Sequence, residues 1–269
     1  MMGNINIGKI LRNDKSLLLA YDQGLEHGPK DLDIRSIDPK HIFDIALEGM
    51  YDGIIVHAGL AEKYHNGYFK DVPLIIKLNG KTAMTDIIAP MSKRLCSVER
   101  AIKLGASAVG YTVFTGSPHE PDILHDFSRV IDVAHDYGMP VIGWMYPRGP
   151  HVDDKNTDTL AYSARIGLEL GADFLKMKYN NDPEGFKWVL KCAGRSKVLI
   201  SDEEKMLEAE FLRKSEEIMK IGVTGIVAGK SVWQHDHPLA LSKALRKIVY
   251  EKATSQEAEK VFEEELHKR

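Results

Sequence analysis

Lys176 and Lys178 stand two residues apart in "FLKMKY" (Phe174 to Tyr179), a short run whose flanks read as a strand entering a protein core. Side chains at i and i+2 of a strand leave on the same face, so both ammonium groups point the same way. A lysine held among apolar walls loses hydration, and a neighbouring cation disfavours its charged form further. The uncharged amine is a nucleophile that condenses with a ketone to give an imine. Lys178, nearer the strand end, is the candidate nucleophile, and Lys176, one layer deeper, is the candidate second cation. The strand alone leaves this reading level with an ordinary one, in which buried lysines pair with Asp or Glu.

Two further stretches carry groups that imine chemistry needs. "LLLAYDQGLEHGPKD" ends an apolar run with Asp22 and turns through Gly24 and Gly28, with Glu26 and His27 on the loop. A carboxylate there can orient the lysine, move a proton or bind a sugar hydroxyl; the plainer alternative is that Asp22 caps the loop. "GWMYPRG" places Trp144, Tyr146 and Arg148 at alternate positions, hence on one face for as long as the strand lasts. Tyrosine serves as a general acid or base, and the planar fork of arginine suits a phosphate. Trp144 taken alone reads as core packing.

These residues need a scaffold that gathers strand ends. Eight short β-rich runs alternate with amphipathic segments: Ser16 to Asp22, Gly53 to Gly59, Leu74 to Gly80, Ser107 to Phe114, Pro140 to Pro147, Phe174 to Tyr179, Lys197 to Ser201 and Thr224 to Lys230. Each is apolar and bounded by turn formers, the mark of buried parallel strands. Helical segments such as "DTLAYSARIGLELGAD" stop at Gly-Ala before the next strand. Eight such units in about 250 residues predict an α/β fold, a single (β/α)₈ TIM barrel over residues 1–250. The tail 251–269 reads as a charged final helix. A doubly wound sheet is the runner-up, but no G-x-G-x-x-G follows an early strand.

In a barrel, active sites form at the C-terminal strand ends, and the last two loops commonly hold phosphate. The polar residues at those ends are Asp22, Asn79, Tyr146, Lys178, Ser201 and Lys230. "VAGKSVWQ" suits an anion: Gly229 allows close backbone approach and Lys230 adds charge. "LISDEEKML" offers the Ser201 hydroxyl, but Asp202, Glu203 and Glu204 set negative charge where an anion would sit. His235, Asp236 and His237 in "QHDHP" read as a solvated loop, and no metal site is expected.

Bulk composition narrows the class. The 269 residues are 43% hydrophobic and 28% charged, with a net charge of -3, which gives no chain-wide basic surface for nucleic acid. No window approaches the roughly 20 apolar residues of a membrane span. Cys96 and Cys192 have neither metal-like nor redox-like spacing, so reduced thiols in a cytoplasmic protein are expected.

With these motifs in order, the chain resembles the archaeal-type class I fructose-1,6-bisphosphate aldolases. The resemblance runs through "SLLLAYDQGLEHGP", "LIIKLNGKT", "GASAVGYTVF", "WMYPRG", "LGADFLKMKYNNDPEGFKWVLKCAG" and "AGKSVWQ". It implies a (β/α)₈ barrel, a cofactor-free and metal-free mechanism, a sugar-phosphate substrate and a homo-oligomer, often a decamer. It also implies Lys178 as the Schiff-base lysine, Tyr146 as the catalytic tyrosine and Asp22 as the first-strand aspartate. Trp144, Arg148, His27, Ser201, Gly229 and Lys230 fall to substrate binding. Gln23 stands where the family motif has histidine, and Ser201-Asp202-Glu203 replaces its glycine-rich loop. Two other readings stay open. One is a related imine-forming barrel, such as 2-amino-3,7-dideoxy-D-threo-hept-6-ulosonate synthase, or an aldolase for a less phosphorylated ketose. The other is a non-catalytic barrel that binds a metabolite.

Overall fold

The computed structural model describes residues 5–65, 71–84, 88–201 and 205–268. Eight parallel strands close into a barrel: β1 (Ser16–Ala20), β2 (Gly53–His57), β3 (Leu74–Lys77), β4 (Ala106–Val113), β5 (Val141–Met145), β6 (Phe174–Met177), β7 (Lys197–Ser201) and β8 (Gly225–Ala228). Each pairs with its sequence neighbour, and β1 pairs with β8 to complete the ring. The (β/α)₈ expectation therefore holds. Most strands run a little shorter than the apolar runs suggest, because the last residues of those runs leave the ladder to form the mouth; Lys197–Ser201 keeps its full run.

Alternation divides every strand into two faces. Leu18, Ile55, Ile75, Ala108, Ile142, Phe174, Leu199 and Val227 meet inside the barrel. Their neighbours, among them Leu17, Ile54, Val109, Leu175 and Ile226, pack outward against the helical ring. Both faces are apolar, which is why the strands read as continuous hydrophobic runs. Below them a short 3₁₀ turn, Ile7–Ile10, inserts Ile10 into the inner cluster, and Ser16 Oγ donates to the Ile10 carbonyl at 2.8 Å. The floor is thereby sealed and only the C-terminal face is left open.

The helices form for local reasons. Asn156 caps Thr157–Leu170 and Asp182 caps Pro183–Ala193, each by accepting a backbone N–H near the helix start. Thr157–Leu170 ends at Gly171 with φ 96°, and Glu208–Ile221 ends at Gly222 with φ 106°. Only glycine adopts that left-handed stop cheaply, so the Gly signals in the sequence marked real turns into β6 and β8. The tail forms Ser255–His267, opened by a capping box between Thr254 and Glu257. Its polar face is solvated, while Ala258 and Phe262 are buried. Among the described residues no helix is long and apolar enough to cross a membrane.

Candidate active site

The inward parity of each strand continues past its last rung and delivers polar groups to the mouth. Asp22 follows β1, His57 ends β2, Lys77 ends β3, and Thr112 lies on β4. Trp144 and Tyr146 belong to β5 and its exit, Lys176 and Lys178 to β6 and its exit, and Ser201 ends β7. The ladder pairs His57 with Lys77, Lys77 with Gly110, and Trp144 with Lys176, so these side chains occupy adjoining positions of one ring.

Trp144 is the floor of this site. It is buried, and the edge of its six-membered ring packs directly on Gly110 of the neighbouring strand: a β-carbon at Gly110 would fall 2.0 Å from Cζ3 of the ring. Glycine in "AVGYT" is thus a requirement of the tryptophan, not a flexible link. Two ammonium groups share the indole, with Lys176 Nζ 5.2 Å and Lys77 Nζ 5.3 Å from a ring centroid. Trp144, which taken alone reads as packing, is packed and also seats two cations.

Asp22 does not cap the loop with its side chain. The carboxylate turns inward, 7% exposed, and lies 3.6 Å from Lys77 Nζ. Glu26 Oε1 accepts from the same ammonium at 2.8 Å. Burial alone would raise the Asp22 carboxyl; Lys77, then Lys176 and His57, outweigh it and hold the group below the usual carboxylate range. Burial likewise opposes charge on Lys77, but Glu26 and Asp22 push its ammonium above the ordinary value. His57 is moved down by burial and by Lys77, which favours its neutral form.

The two lysines of the opening pair have different surroundings. Lys176 is 6% exposed, inside the barrel wall, with its Nζ 5.8 Å from the Tyr146 ring. Among the described residues it makes no hydrogen bond and no ion pair. Lys178 lies beyond the strand, with Nζ 3.6 Å from Asp154 and 6.0 Å from the centroid of the Tyr146 ring. It lines an open cavity of ≈ 740 Å³ with Asp154, Lys155, Tyr179, Ser201 and Arg213. Access therefore favours Lys178, whereas burial and neighbouring groups favour Lys176.

Tyr146 joins these two levels. Its backbone N–H donates to Val113 O at 3.0 Å, and its hydroxyl lies 3.5 Å from Ser201 Oγ. Ser201 Oγ also donates to Met177 O at 3.3 Å, which ties β7 to the exit of β6. Arg148 lies beyond, its guanidinium 5.9 Å from the Tyr146 ring and 5.7 Å from Phe114.

The other expected binding residues separate from this group. Gly229 caps the short helix Lys230–Trp233, and Lys230 Nζ lies 3.2 Å from Asp31. His27 is exposed, with Nδ1 on the same Asp31 carboxylate. Lys230 and His27 therefore hold the first loop against β8, and the Lys230 charge is partly offset there. Asp202, Glu203 and Glu204 lie outside the described residues. Asn79 is absorbed by structure: its Nδ2 donates to Ser92 O and Thr112 O, and its Oδ1 accepts Thr112 N–H. In the 235–237 loop, Asp236 pairs with Arg35 and His235 Nδ1 accepts His237 N–H. No three His, Cys, Asp or Glu side chains converge as a metal site among the described residues.

Lys77, Glu26 as its partner, His57 and Gly110 were not singled out from the sequence. Lys77 carried the same signal as Lys176, a lysine inside an apolar strand at the inward parity of Ile75. The mouth also holds buried polar atoms without a hydrogen-bond partner, namely His57 Nε2, Thr112 Oγ1 and Trp144 Nε1. Such groups are costly unless a bound molecule meets them.

A family model for DeoC/LacD aldolases matches residues 16–235, from β1 through the loop after β8. The chain belongs to that family. It is 43% identical over 243 residues to the class 1 fructose-bisphosphate aldolase of Thermoproteus tenax, covering 89% of this chain and 91% of that one. It is 38% identical over 252 residues to the Halobacterium salinarum enzyme of the same name, covering 93% and 95%. Among solved structures, a Schiff-base-forming fructose-1,6-bisphosphate aldolase superposes with a TM-score of 0.85 at 42% identity, covering 90% of this chain and 97% of that one. One structure with the same scores holds its catalytic lysine bound to the carbinolamine intermediate of its substrate. A fructose-bisphosphate aldolase from Slackia heliotrinireducens superposes with a TM-score of 0.88 at 28% identity, covering 94% and 86%.

Proposed function

We propose that this aldolase is a class I fructose-1,6-bisphosphate aldolase whose imine forms on Lys176, in place of the Lys178 expected from the sequence. The observation that carries the choice of lysine is the setting of Lys176. It is buried beside Trp144 and Tyr146, without an ion-pair partner among the described residues, and Asp22 and Lys77 act on it electrostatically. Lys178 lies beyond the strand on the open cavity, 3.6 Å from Asp154, and serves better as positive charge at the rim.

In this reading the Lys176 amine attacks the ketose carbonyl and gives a carbinolamine. Loss of its hydroxyl as water leaves a protonated imine. The bond between the α and β carbons then breaks: its electron pair forms the enamine, and the imine π pair moves onto nitrogen. The β-hydroxyl gives up its proton as the aldehyde, glyceraldehyde 3-phosphate, departs. Protonation of the enamine carbon and hydrolysis of the imine release dihydroxyacetone phosphate and restore Lys176. Tyr146, between the lysine and Ser201, is placed to exchange protons during dehydration and cleavage. Asp22, held as a carboxylate, receives a proton or fixes a substrate hydroxyl. The unpartnered groups of His57, Thr112 and Trp144 suit the remaining hydroxyls. Arg148 suits the distal phosphate, and Ser201 with the Gly229 backbone suits the phosphate beside the ketone.

Borohydride reduction in the presence of fructose 1,6-bisphosphate tests both parts. The expected result is a covalent adduct on the peptide holding both lysines, mapped to Lys176. It is absent in Lys176→Met and retained in Lys178→Met. An adduct confined to Lys178 reverses the choice of lysine, and no adduct with any ketose phosphate removes the imine mechanism. The Lys230–Asp31 pair favours one variant reading, an aldolase for a singly phosphorylated ketose, because it offsets charge expected for a second phosphate. Turnover of fructose 1-phosphate above the bisphosphate would select it.

Cys96 and Cys192 are free thiols, which suits the cytoplasm. Tyr162 and Trp188, exposed on successive helices, support a homo-oligomer, which light scattering checks.

A further inference from the structure

Lys77 has no role in the chemistry described so far, yet it is the most enclosed charged residue of the mouth. Its side chain is 0% exposed, between Asp22 at 3.6 Å and Glu26 at 2.8 Å. A lysine enclosed in this way and kept charged by two carboxylates is unsuited to attack a ketone. Leaving it there without purpose would be costly, because a buried ammonium must repay its lost hydration through its partners. The more distant partner is the informative one. Glu26 accepts a close hydrogen bond from Lys77, whereas Asp22 lies at the longer distance of 3.6 Å from the same ammonium and keeps its carboxylate turned into the barrel.

We propose that Lys77 is a positioning residue of the aldolase reaction, anchored by Glu26, that keeps Asp22 ionised and turned into the barrel towards Lys176. The proposal rests on the assignment of Lys176 as the imine lysine. The surrounding charges come from five elements. Asp22 follows β1, Glu26 lies on the Gln23–His27 helix, His57 ends β2, Lys77 ends β3, and Lys176 with Lys178 belong to β6 and its exit; the Tyr146 phenol adjoins from β5. Lys77 and Lys176 sit on one indole, so the fold holds two cations near one inward carboxylate and assigns Glu26 to the first. With Glu26 as its close partner, Lys77 stands 3.6 Å from Asp22 and acts with Lys176 to hold that carboxylate charged.

The sign of the effect follows from Asp22. Burial pushes its carboxyl up, and Lys77 is the foremost of the cations that pull it down. Without the Lys77 charge, burial prevails and the carboxylate is lost at a higher pH. The acid limb of the rate profile, where Asp22 takes up its proton, then moves upward.

The test is the pH profile of kcat/KM, with borohydride trapping, for the wild type, Lys77→Met, Lys77→Arg and Glu26→Gln, each checked for folding by circular dichroism. In Lys77→Met the acid limb should rise by about 1 to 3 pH units, the range an adjacent opposite charge produces. Its kcat should fall by about 10²-fold or more as proton transfer is impaired. Lys77→Arg, which keeps the charge, should leave the acid limb in place while lowering kcat. Glu26→Gln should move the limb downward, since more of the Lys77 charge then bears on Asp22. A folded Lys77→Met with the wild-type limb and rate overturns the proposal. If Lys77→Met does not fold, an upward or unmoved limb in Glu26→Gln overturns it, and a downward one supports it. Failure of the wild type itself to form an adduct counts against the imine assignment, not against Lys77 alone.

Discussion

Asp22 and Asp52 are the same residue type, both almost wholly buried, at opposite ends of the β1–β2 pair. Asp22 leaves β1 at the open mouth, and Asp52 precedes β2 at the sealed floor. Their partners differ in kind. Asp22 faces the ammonium groups of Lys77 and Lys176, which hold it below the usual carboxylate range. Asp52 Oδ2 accepts the Leu17 N–H at 2.8 Å and the Tyr250 hydroxyl, while the half-exposed Arg12 stands 3.5 Å from Oδ1. There burial dominates, and the Asp52 carboxyl is raised despite those hydrogen bonds. Burial by itself does not mark a functional carboxylate; the sign of the surrounding charge does. At the mouth the fold maintains charge beside two ammonium groups, and at the floor it satisfies dipoles that join the Pro238–Glu251 helix to the barrel.

The sharpest way to break this contrast is to remove each carboxylate in turn. Asp22→Asn should lower kcat/KM by about 10²- to 10⁴-fold, the usual share of a general acid–base group. Asp52→Ala should leave kcat/KM per folded molecule near the wild-type value. An inactive but fully folded Asp52→Ala protein would refute the division between mouth and floor. Its own effect should appear in denaturation, where unpaired Leu17 N–H and Tyr250 O–H groups cost about 3 kcal/mol together.

Gly110 tests the floor of the active site. Gly110→Ala drives a methyl into the Trp144 ring, and relief of such overpacking typically costs about 1–3 kcal/mol. The indole that seats Lys77 and Lys176 must shift, so imine trapping should slow along with the fall in melting temperature. Normal trapping in the variant would show that the Trp144 position does not matter to the lysine.

The smallest effect is a pair of opposite pH trends in stability. Asp22, depressed in the folded state, contributes stability that is present above its unfolded value of 3.8 and is lost as pH falls through the folded value. Asp52, raised in the folded state, contributes below 3.8 and loses that contribution as pH rises through its higher folded value. Asp22→Asn should therefore cost more at neutral pH than at a pH well below 3.8, and Asp52→Asn the reverse. Thermal melts of both variants at the two pH values measure the signs.

Much of the architecture was legible because it depends on local pattern. Continuous apolar runs between amphipathic segments mark strands buried on both faces, and Gly171 and Gly222 mark helix stops that few other residues allow. The site was legible where strand parity reaches the mouth, as at Asp22, Tyr146 and the Lys176–Lys178 pair. Period-two alternation assigned the two lysines one face and ranked their depth, but it could not show which groups each of them meets there. That depends on where β6 ends against β5 and β7, on the indole over Gly110, and on Asp154 arriving from a separate loop. Lys77 shows the same limit: its strand announced a buried cation, but Glu26 and Asp22 come from the loop after β1, 51 residues away for Glu26. The order of residues by itself determined the barrel, its open end and the chemical groups available there. Only the tertiary structure decided which carboxylate meets which cation, because burial and Coulomb interaction depend on distances that ring closure sets.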